Sequence, residues 1–206
     1  MPILRGVEEP IRRQVDLQTA SIELSVTFAP GQSEYAEYVL SRAATYLEHV
    51  EEYLSSPCPR KESVAIHIVE GGGSNKGDYI EIDFGGVDNP ALLFHELSHY
   101  WYGYYLSGYD QGWLIEGLMS FLPIAMAESG LLPISQTEYR MIFAAWSFER
   151  TDFPVDYPVY NAFTEDNSEE MRSLAYPKIF KIQYLIHREL GRENYRRLLR
   201  RLLDEV

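Results

Sequence analysis

The sequence has little of three things: cysteine, basic side chains and long apolar runs. Its 206 residues include one cysteine, Cys58, which cannot form a disulfide within the chain, so the fold does not depend on an oxidising compartment. The 18 lysines and arginines are outnumbered by 31 aspartates and glutamates, for a formal net charge of -13. Nucleic-acid binding needs clustered positive charge, so this balance argues against nucleic acid as a partner.

The longest apolar stretch, residues 117–127, is interrupted by Ser120 and Pro123 and is too short to span a bilayer. The first twenty residues contain no apolar segment of the kind that a signal peptide needs. We therefore expect a cytoplasmic protein without a membrane span. The sequence leaves the oligomeric state open.

Hydrophobic periodicity predicts strands early in the chain and helices after them. Residues 1–20 are polar and patternless, which predicts a loose arm ahead of one domain at residues 21–206. Residues 22–28 alternate between apolar and polar, as in a half-buried strand, and further strands are predicted at residues 64–68 and 78–84. The expected fold class is α+β, with a small N-terminal mixed β-sheet followed by a helical half.

The helix starts carry recognisable signals, either a capping side chain or a proline in the first position. These signals lie at Ser33, Asn89-Pro90, Asp110, Ser135 and Pro177. The helix that begins at Asn89-Pro90 carries the most informative motif of the chain.

That motif is His95-Glu96-Leu97-Ser98-His99, in which two histidines are four residues apart. On a helix, residues with this spacing lie one above the other, so both imidazoles can reach a single metal ion. Glu96 is about 100° around the helix from His95 and can flank such an ion as a general base without binding it. The alternative is a chance match with structural histidines, and a third ligand would argue against it.

Glu116 is the candidate third ligand. Sixteen residues separate it from His99, and it lies in the apolar segment W-L-I-E-G-L, where an unpaired carboxylate would be costly. These motifs resemble the gluzincin metallopeptidases, most closely the catalytic domain of the aminopeptidase N family and its peptidase MA-like relatives. The resemblance implies a thermolysin-like zincin catalytic domain with Zn2+ held by His95, His99 and Glu116, and with Glu96 as the catalytic base.

Tyr176-Pro177-Lys178 is similar to a family motif in which a tyrosine is followed two residues later by lysine and then by glycine. The resemblance implies that the Tyr176 hydroxyl donates a hydrogen bond to the developing oxyanion. Ile179 stands where the family has glycine. His187, further along the same helix, is an alternative donor. The other interpretation of Tyr176 is that it is an ordinary tyrosine at a helix boundary, with no catalytic role.

The family's amine-binding motif G-A-M-E-N has its nearest counterpart at residues 71–75, where Ser74 replaces the glutamate. Ser74 and Asn75 are therefore candidate substrate-binding residues. Tyr79 joins them because the strand at residues 78–84 is expected to be an edge strand that pairs with an extended peptide. Cleavage within a peptide and cleavage at its amino terminus both remain open.

The sequence thus predicts a zinc-dependent peptidase that acts on a peptide or protein substrate. One alternative is a non-catalytic or latent binding module that keeps the fold, and another is a metallohydrolase of a non-peptide substrate. Asp110 and Ser120 are candidates to orient a zinc-binding histidine through its second ring nitrogen, and the sequence does not decide between the two. The alternative is that Asp110 only caps its helix and Ser120 only packs.

Overall fold

Strands and helices occupy separate parts of the chain in the computed structural model, which describes residues 9–59, 62–83, 90–105, 112–146 and 169–204. The strands are β1 Ile11–Asp16, β2 Ser21–Thr27, β3 Ser63–Val69, β4 Ser74–Asn75 and β5 Tyr79–Asp83. The helices are α1 Ser33–Leu54, α2 Ala91–Tyr105, α3 Gly112–Glu128, α4 Gln136–Trp146, α5 Glu169–Leu190 and α6 Arg192–Asp204. This arrangement confirms the predicted α+β class. None of the described helices is long and apolar enough to cross a membrane.

The five strands form one mixed sheet in the order β1-β2-β3-β5-β4. β2, β3 and β5 run parallel, and the two outer strands are antiparallel to their neighbours. Side chains alternate along the central strands: Val64, Ile66 and Ile68 are buried while their neighbours are partly exposed. The buried face packs against α1 and α2 in a single hydrophobic core, as the period-2 pattern predicts.

The prediction of a loose arm at residues 1–20 is wrong for Ile11–Asp16, which form the edge strand β1. Each of these residues pairs with one of β2, from Ile11 opposite Val26 to Asp16 opposite Ser21. The strand has no alternating apolar pattern in the sequence, because Val15 is its one fully buried side chain. An edge strand is held chiefly by main-chain hydrogen bonds on one side and does not need an apolar pattern. Residues 1–8 lie outside the described residues.

A buried carboxylate fixes the turn between β1 and β2. Glu51 on α1 is 1% exposed and accepts hydrogen bonds from the Gln18 main-chain N–H, the Thr19 hydroxyl and the Cys58 main-chain N–H. These three donors share one acceptor side chain, so the edge of the sheet is fastened to α1 at this point.

Replacing Glu51 by alanine is expected to lower the free energy of unfolding by about 1–3 kcal/mol, because buried donors lose their acceptor. Urea unfolding measures the change. Glu48→Ala, at an exposed position of the same helix, is the matched control for lost helix charge. Equal stability of the two variants would show that Glu51 does not fasten the turn.

Three predicted helix starts can be compared with the structure. Helix α1 begins at Ser33, but its N-cap is Gln32 and no side chain caps it by a hydrogen bond, so the prediction that Ser33 is the cap is wrong. The capping box that starts α4 is confirmed, since the Glu138 N–H donates to Ser135 Oγ at 3.1 Å and the Ser135 N–H donates to Glu138 Oε2 at 2.8 Å. The predicted start at Pro177 is wrong, because Pro177 lies inside α5, which begins at Glu169. A proline removes one main-chain hydrogen bond from a helix, and the buried side chains that follow it hold α5 in place. Asn89 and Asp110 lie outside the described residues.

Candidate metal centre

Helix α2 carries both histidines of the motif into the interior. His95 and Glu96 are 2% and 5% exposed, and the preceding Leu93 and Phe94 are fully buried. His95 and His99 lie one turn apart, and their Nε2 atoms are 3.2 Å from each other. A single apolar helix therefore points two ring nitrogens at one place.

Helix α3 brings the third group to the same place. Glu116 Oε2 lies 3.1 Å from His95 Nε2, and Glu116 Oε1 lies 3.8 Å from His99 Nε2. One ligand atom from each of the three residues lies within 4.8 Å of the others, so these residues could hold a metal ion. Zinc–nitrogen and zinc–oxygen bonds of about 2.0–2.2 Å in a tetrahedral site separate neighbouring ligand atoms by roughly 3.3 Å. The donor set and its spacing therefore fit zinc.

Ser120, one turn after Glu116 on α3, sets the tautomer of His95. Its hydroxyl donates to the Glu116 carbonyl at 2.8 Å, so its oxygen is left to accept from His95 Nδ1 at 3.2 Å. Because Nδ1 keeps its proton for this contact, the proton that His95 shares with Glu116 at Nε2 is the one to be lost on ligation, which leaves the Nε2 lone pair directed at the cluster. Of the two candidates for this role, the structure places Ser120 against a cluster histidine, whereas Asp110 lies outside the described residues.

Replacing Ser120 by alanine is expected to weaken zinc binding about ten- to a hundredfold, because His95 loses the partner that fixes its tautomer and ring orientation. Competition with a chromogenic chelator measures the affinity. Ser129→Ala is the matched control, since the Ser129 hydroxyl also donates to a carbonyl near the end of α3, that of Met126. Unchanged affinity in the Ser120 variant would contradict this role.

Burial and mutual contact set the charge of the cluster. Burial alone would raise the pKa of Glu116, yet the hydrogen bond and charge of His95, helped by His99 and Tyr176, lower that pKa to about 2. Burial and the charge of His95 lower the pKa of His99 to about 4. Burial lowers the pKa of His95, but its hydrogen bond with Glu116 and the nearby carboxylates outweigh burial and raise it. At neutral pH an anionic Glu116 and a neutral His99 are ready to ligate a cation.

Glu96 lies beside the cluster rather than in it. Its Oε2 atom is 4.0 Å from His99 Nε2. Burial raises the pKa of Glu96, and the charges of His95 and Lys76 and a main-chain N–H of Asn75 oppose that rise. A buried carboxyl group with a raised pKa, next to three side chains that could hold a metal ion, is suited to accept and return a proton.

Tyr176 reaches the cluster from α5. Its hydroxyl donates to Glu116 Oε2 at 2.9 Å. The approach of α5 depends on Gly117, because a Cβ there would lie 3.3 Å from both the Cβ and the carbonyl oxygen of Ile179. Ile179, which departs from the family motif, thus packs directly against the glycine that follows Glu116. His187, the alternative donor, is on the far part of α5, where its Nδ1 lies 3.7 Å from Glu128.

The edge hairpin brings Asn75 to the motif helix. Asn75 Nδ2 donates to the Glu96 carbonyl at 3.0 Å, and its Oδ1 accepts from the Gly77 N–H at 2.8 Å. The Ser74 hydroxyl donates instead to Glu81 Oε2 at 3.3 Å, and the same carboxylate oxygen lies 3.3 Å from Lys76 Nζ. Of these two candidates for substrate binding, Asn75 touches the motif residue Glu96 directly.

The expectation that the strand at residues 78–84 forms the sheet edge is wrong. β4 is outermost and pairs with Ile80 and Glu81 of β5. Tyr79 lies on the less buried face of the sheet, where its ring stacks on His67 with centroids 4.5 Å apart. The buried face carries the helices, so the structure does not bring Tyr79 to the cluster. The short β4 is hard to predict because two residues give no periodicity.

Trp146, the last residue of α4, was not predicted as part of the site. Its ring stacks on His95 with centroids 4.8 Å apart at 30°, and it lies 5.5 Å from the ring of Tyr176. A tryptophan on an amphipathic helix usually belongs to the core. The sequence carries no motif there that would have marked it.

Comparison with solved structures shows that this fold is similar to part of the fold of longer proteins. An M1 zinc metallopeptidase variant from Deinococcus radiodurans, bound to a Tyr-Ser-Ala substrate, matches with a TM-score of 0.66 and 15% identity, over 97% of this chain and 44% of that chain. An M1 zinc metallopeptidase from the same organism matches with a TM-score of 0.65 and 15% identity, over the same shares of the two chains. This chain therefore spans less than half the length of those proteins. No protein-family model and no curated protein matches the sequence.

Proposed function

We propose that this chain is a zinc-dependent peptidase of the gluzincin type, with a thermolysin-like catalytic domain and with His95, His99 and Glu116 as the metal ligands. The observation that carries the proposal is the convergence of His95, His99 and Glu116, one ligand atom of each lying within 4.8 Å of the others, with the Glu96 carboxyl group beside them. The shared fold with M1 zinc metallopeptidases supports it independently of the motif.

Zinc and Glu96 have distinct tasks in this proposal. Zinc, when bound, supplies Lewis-acid polarisation and a water of lowered pKa. Glu96 takes a proton from the attacking water and delivers it to the leaving nitrogen as the peptide bond breaks. Its burial keeps the pKa of the carboxyl group raised, which favours holding the proton between these two steps.

Tyr176 is the proposed donor to the carbonyl oxygen as negative charge develops there. Its hydroxyl already lies within 2.9 Å of a carboxylate oxygen of Glu116, so it stands at the edge of the proposed centre. A neutral donor held by a helix is preorganised for this charge and costs little rearrangement during the reaction.

The proposed substrate is a peptide or protein whose chain lies along the edge hairpin near Ser74 and Asn75. Among the described residues, the Glu81 carboxylate on this hairpin is paired with Lys76, so it is poorly suited to bind a free α-amine. This pairing favours cleavage within a peptide over cleavage at its amino terminus. It is also the observation that favours the second candidate, a latent or non-catalytic peptide-binding module.

Incubation with an unbiased peptide library, with and without a zinc chelator, tests the proposal. We expect cleavage that stops with the chelator and returns with added zinc, and cut positions inside the peptides. Cuts restricted to the first residue would overturn the preference for internal bonds. A zinc-loaded protein that binds peptides without cutting them would favour the binding module.

A further inference from the structure

We infer that Trp146 is a positioning residue of the metal centre: its indole ring holds the His95 imidazole in the orientation that ligation requires. The inference rests on the proposed function, since it assigns a task toward the metal to a residue outside the ligand set. Nothing in the motifs of the sequence marks Trp146 for this task.

The His95 ring is held from several sides at once. Ser120 Oγ meets Nδ1 at 3.2 Å, the rings of His99 and Tyr176 approach edge-on at centroid distances of 4.9 and 5.9 Å, and Trp146 covers a ring face at 4.8 Å. The hydrogen bond fixes one atom of the imidazole and leaves rotation about that contact. A stacked ring restrains this rotation, because tilting the imidazole would open or collide with the stack.

The ring of Trp146 contacts two residues of the proposed centre. It stacks on His95 with centroids 4.8 Å apart and lies 5.5 Å from the ring of Tyr176. Its Nε1 atom is buried and has no hydrogen-bond partner among the described residues. Within the described part of the chain, ring contacts rather than a hydrogen bond therefore place the indole at the cluster.

The consequence is that His95, as a metal-binding side chain, is preorganised. With Trp146 in place, His95 Nε2 faces Glu116 and His99 before an ion arrives. Without the stack, part of the binding free energy is spent on ordering the imidazole, and apolar cover next to the ligand is lost. Loss of the stack is therefore expected to weaken zinc binding and distort the ligand field, rather than to change overall stability alone.

Two substitutions of Trp146 separate ring stacking from simple packing. Trp146→Phe keeps an aromatic face against His95, and Trp146→Leu keeps apolar volume without that face. Ile142→Ala is the control, because it removes a fully buried side chain one turn earlier on α4. The readouts are zinc affinity by chelator competition, the visible spectrum of the Co2+-loaded protein, and the thermal midpoint of the metal-free protein.

We expect the leucine variant to bind zinc about ten- to a hundredfold more weakly and to show an altered Co2+ spectrum, as for loss of other outer-shell partners. The phenylalanine variant should stay within about threefold of wild type, because ring stacking survives. Ile142→Ala should lower the thermal midpoint and leave zinc affinity unchanged. Wild-type zinc affinity in the leucine variant would overturn the inference, as would equal losses of affinity in the leucine and Ile142 variants. A wild-type chain that takes up no zinc or Co2+ would instead overturn the proposed metal centre.

Discussion

The Glu96→Gln variant is expected to bind zinc like the wild type and to cleave peptides about a hundred- to ten-thousandfold more slowly. Glutamine keeps the size of the side chain and cannot accept the proton of the attacking water, which removes general-base catalysis of about this magnitude. The Asn75 hydrogen bond to position 96 is retained, because it is accepted by the main-chain carbonyl. The loss should therefore appear in kcat, with metal content and fold unchanged.

Steady-state kinetics on a peptide from the library, together with metal analysis of the same sample, measures this result. Glu48→Gln is the control, since Glu48 is a carboxylate at an exposed position of α1 and is given no role in substrate binding or proton transfer. Normal turnover in the Glu96 variant would remove Glu96 from the proposed mechanism, while leaving the metal ligands untouched.

The second large effect is loss of the metal in Glu116→Ala and in His95→Ala. Each substitution leaves two protein ligands where a catalytic zinc site uses three. Glu116 also supplies the negative charge of the cluster, since its pKa is lowered to about 2. We therefore expect a fall from about one zinc per chain to nearly none, with loss of all chelator-sensitive activity.

Metal analysis after exhaustive dialysis measures the loss. Glu128→Ala is the control on the same helix, because it removes a carboxylate from the opposite end of α3, where Glu128 accepts a hydrogen bond from Tyr139. Stoichiometric zinc in either ligand variant would refute the proposed ligand set. Zinc loss in the control as well would mean that α3 tolerates no such change, and the ligand assignment would then lose its support.

The parts of the site that local geometry decides could be predicted from the sequence. His95 and His99 share a helix face because they are four residues apart, and the structure places their Nε2 atoms 3.2 Å from each other. Glu116 was predicted from its apolar setting and its family-like segment. Its carboxylate oxygens lie 3.1 and 3.8 Å from those nitrogens, although α3 follows a separate segment of chain.

The parts that depend on how helices pack could not be predicted. The choice of Ser120 as partner of His95 follows from the rotation of α3 against α2, which no local pattern encodes. Trp146 reaches His95 only because α4 ends beside the cluster. Tyr79 was assigned to the site from its strand, yet the pleat turns it to the opposite face of the sheet.

The most direct test of the account is anomalous diffraction at the zinc edge from crystals of the zinc-loaded Glu96→Gln variant, which should hold metal without turning over. We expect one peak, for an ion held by Nε2 of His95, Nε2 of His99 and the Glu116 carboxylate at about 2.0–2.2 Å. No peak at these three residues, or a peak held by other side chains, would contradict it.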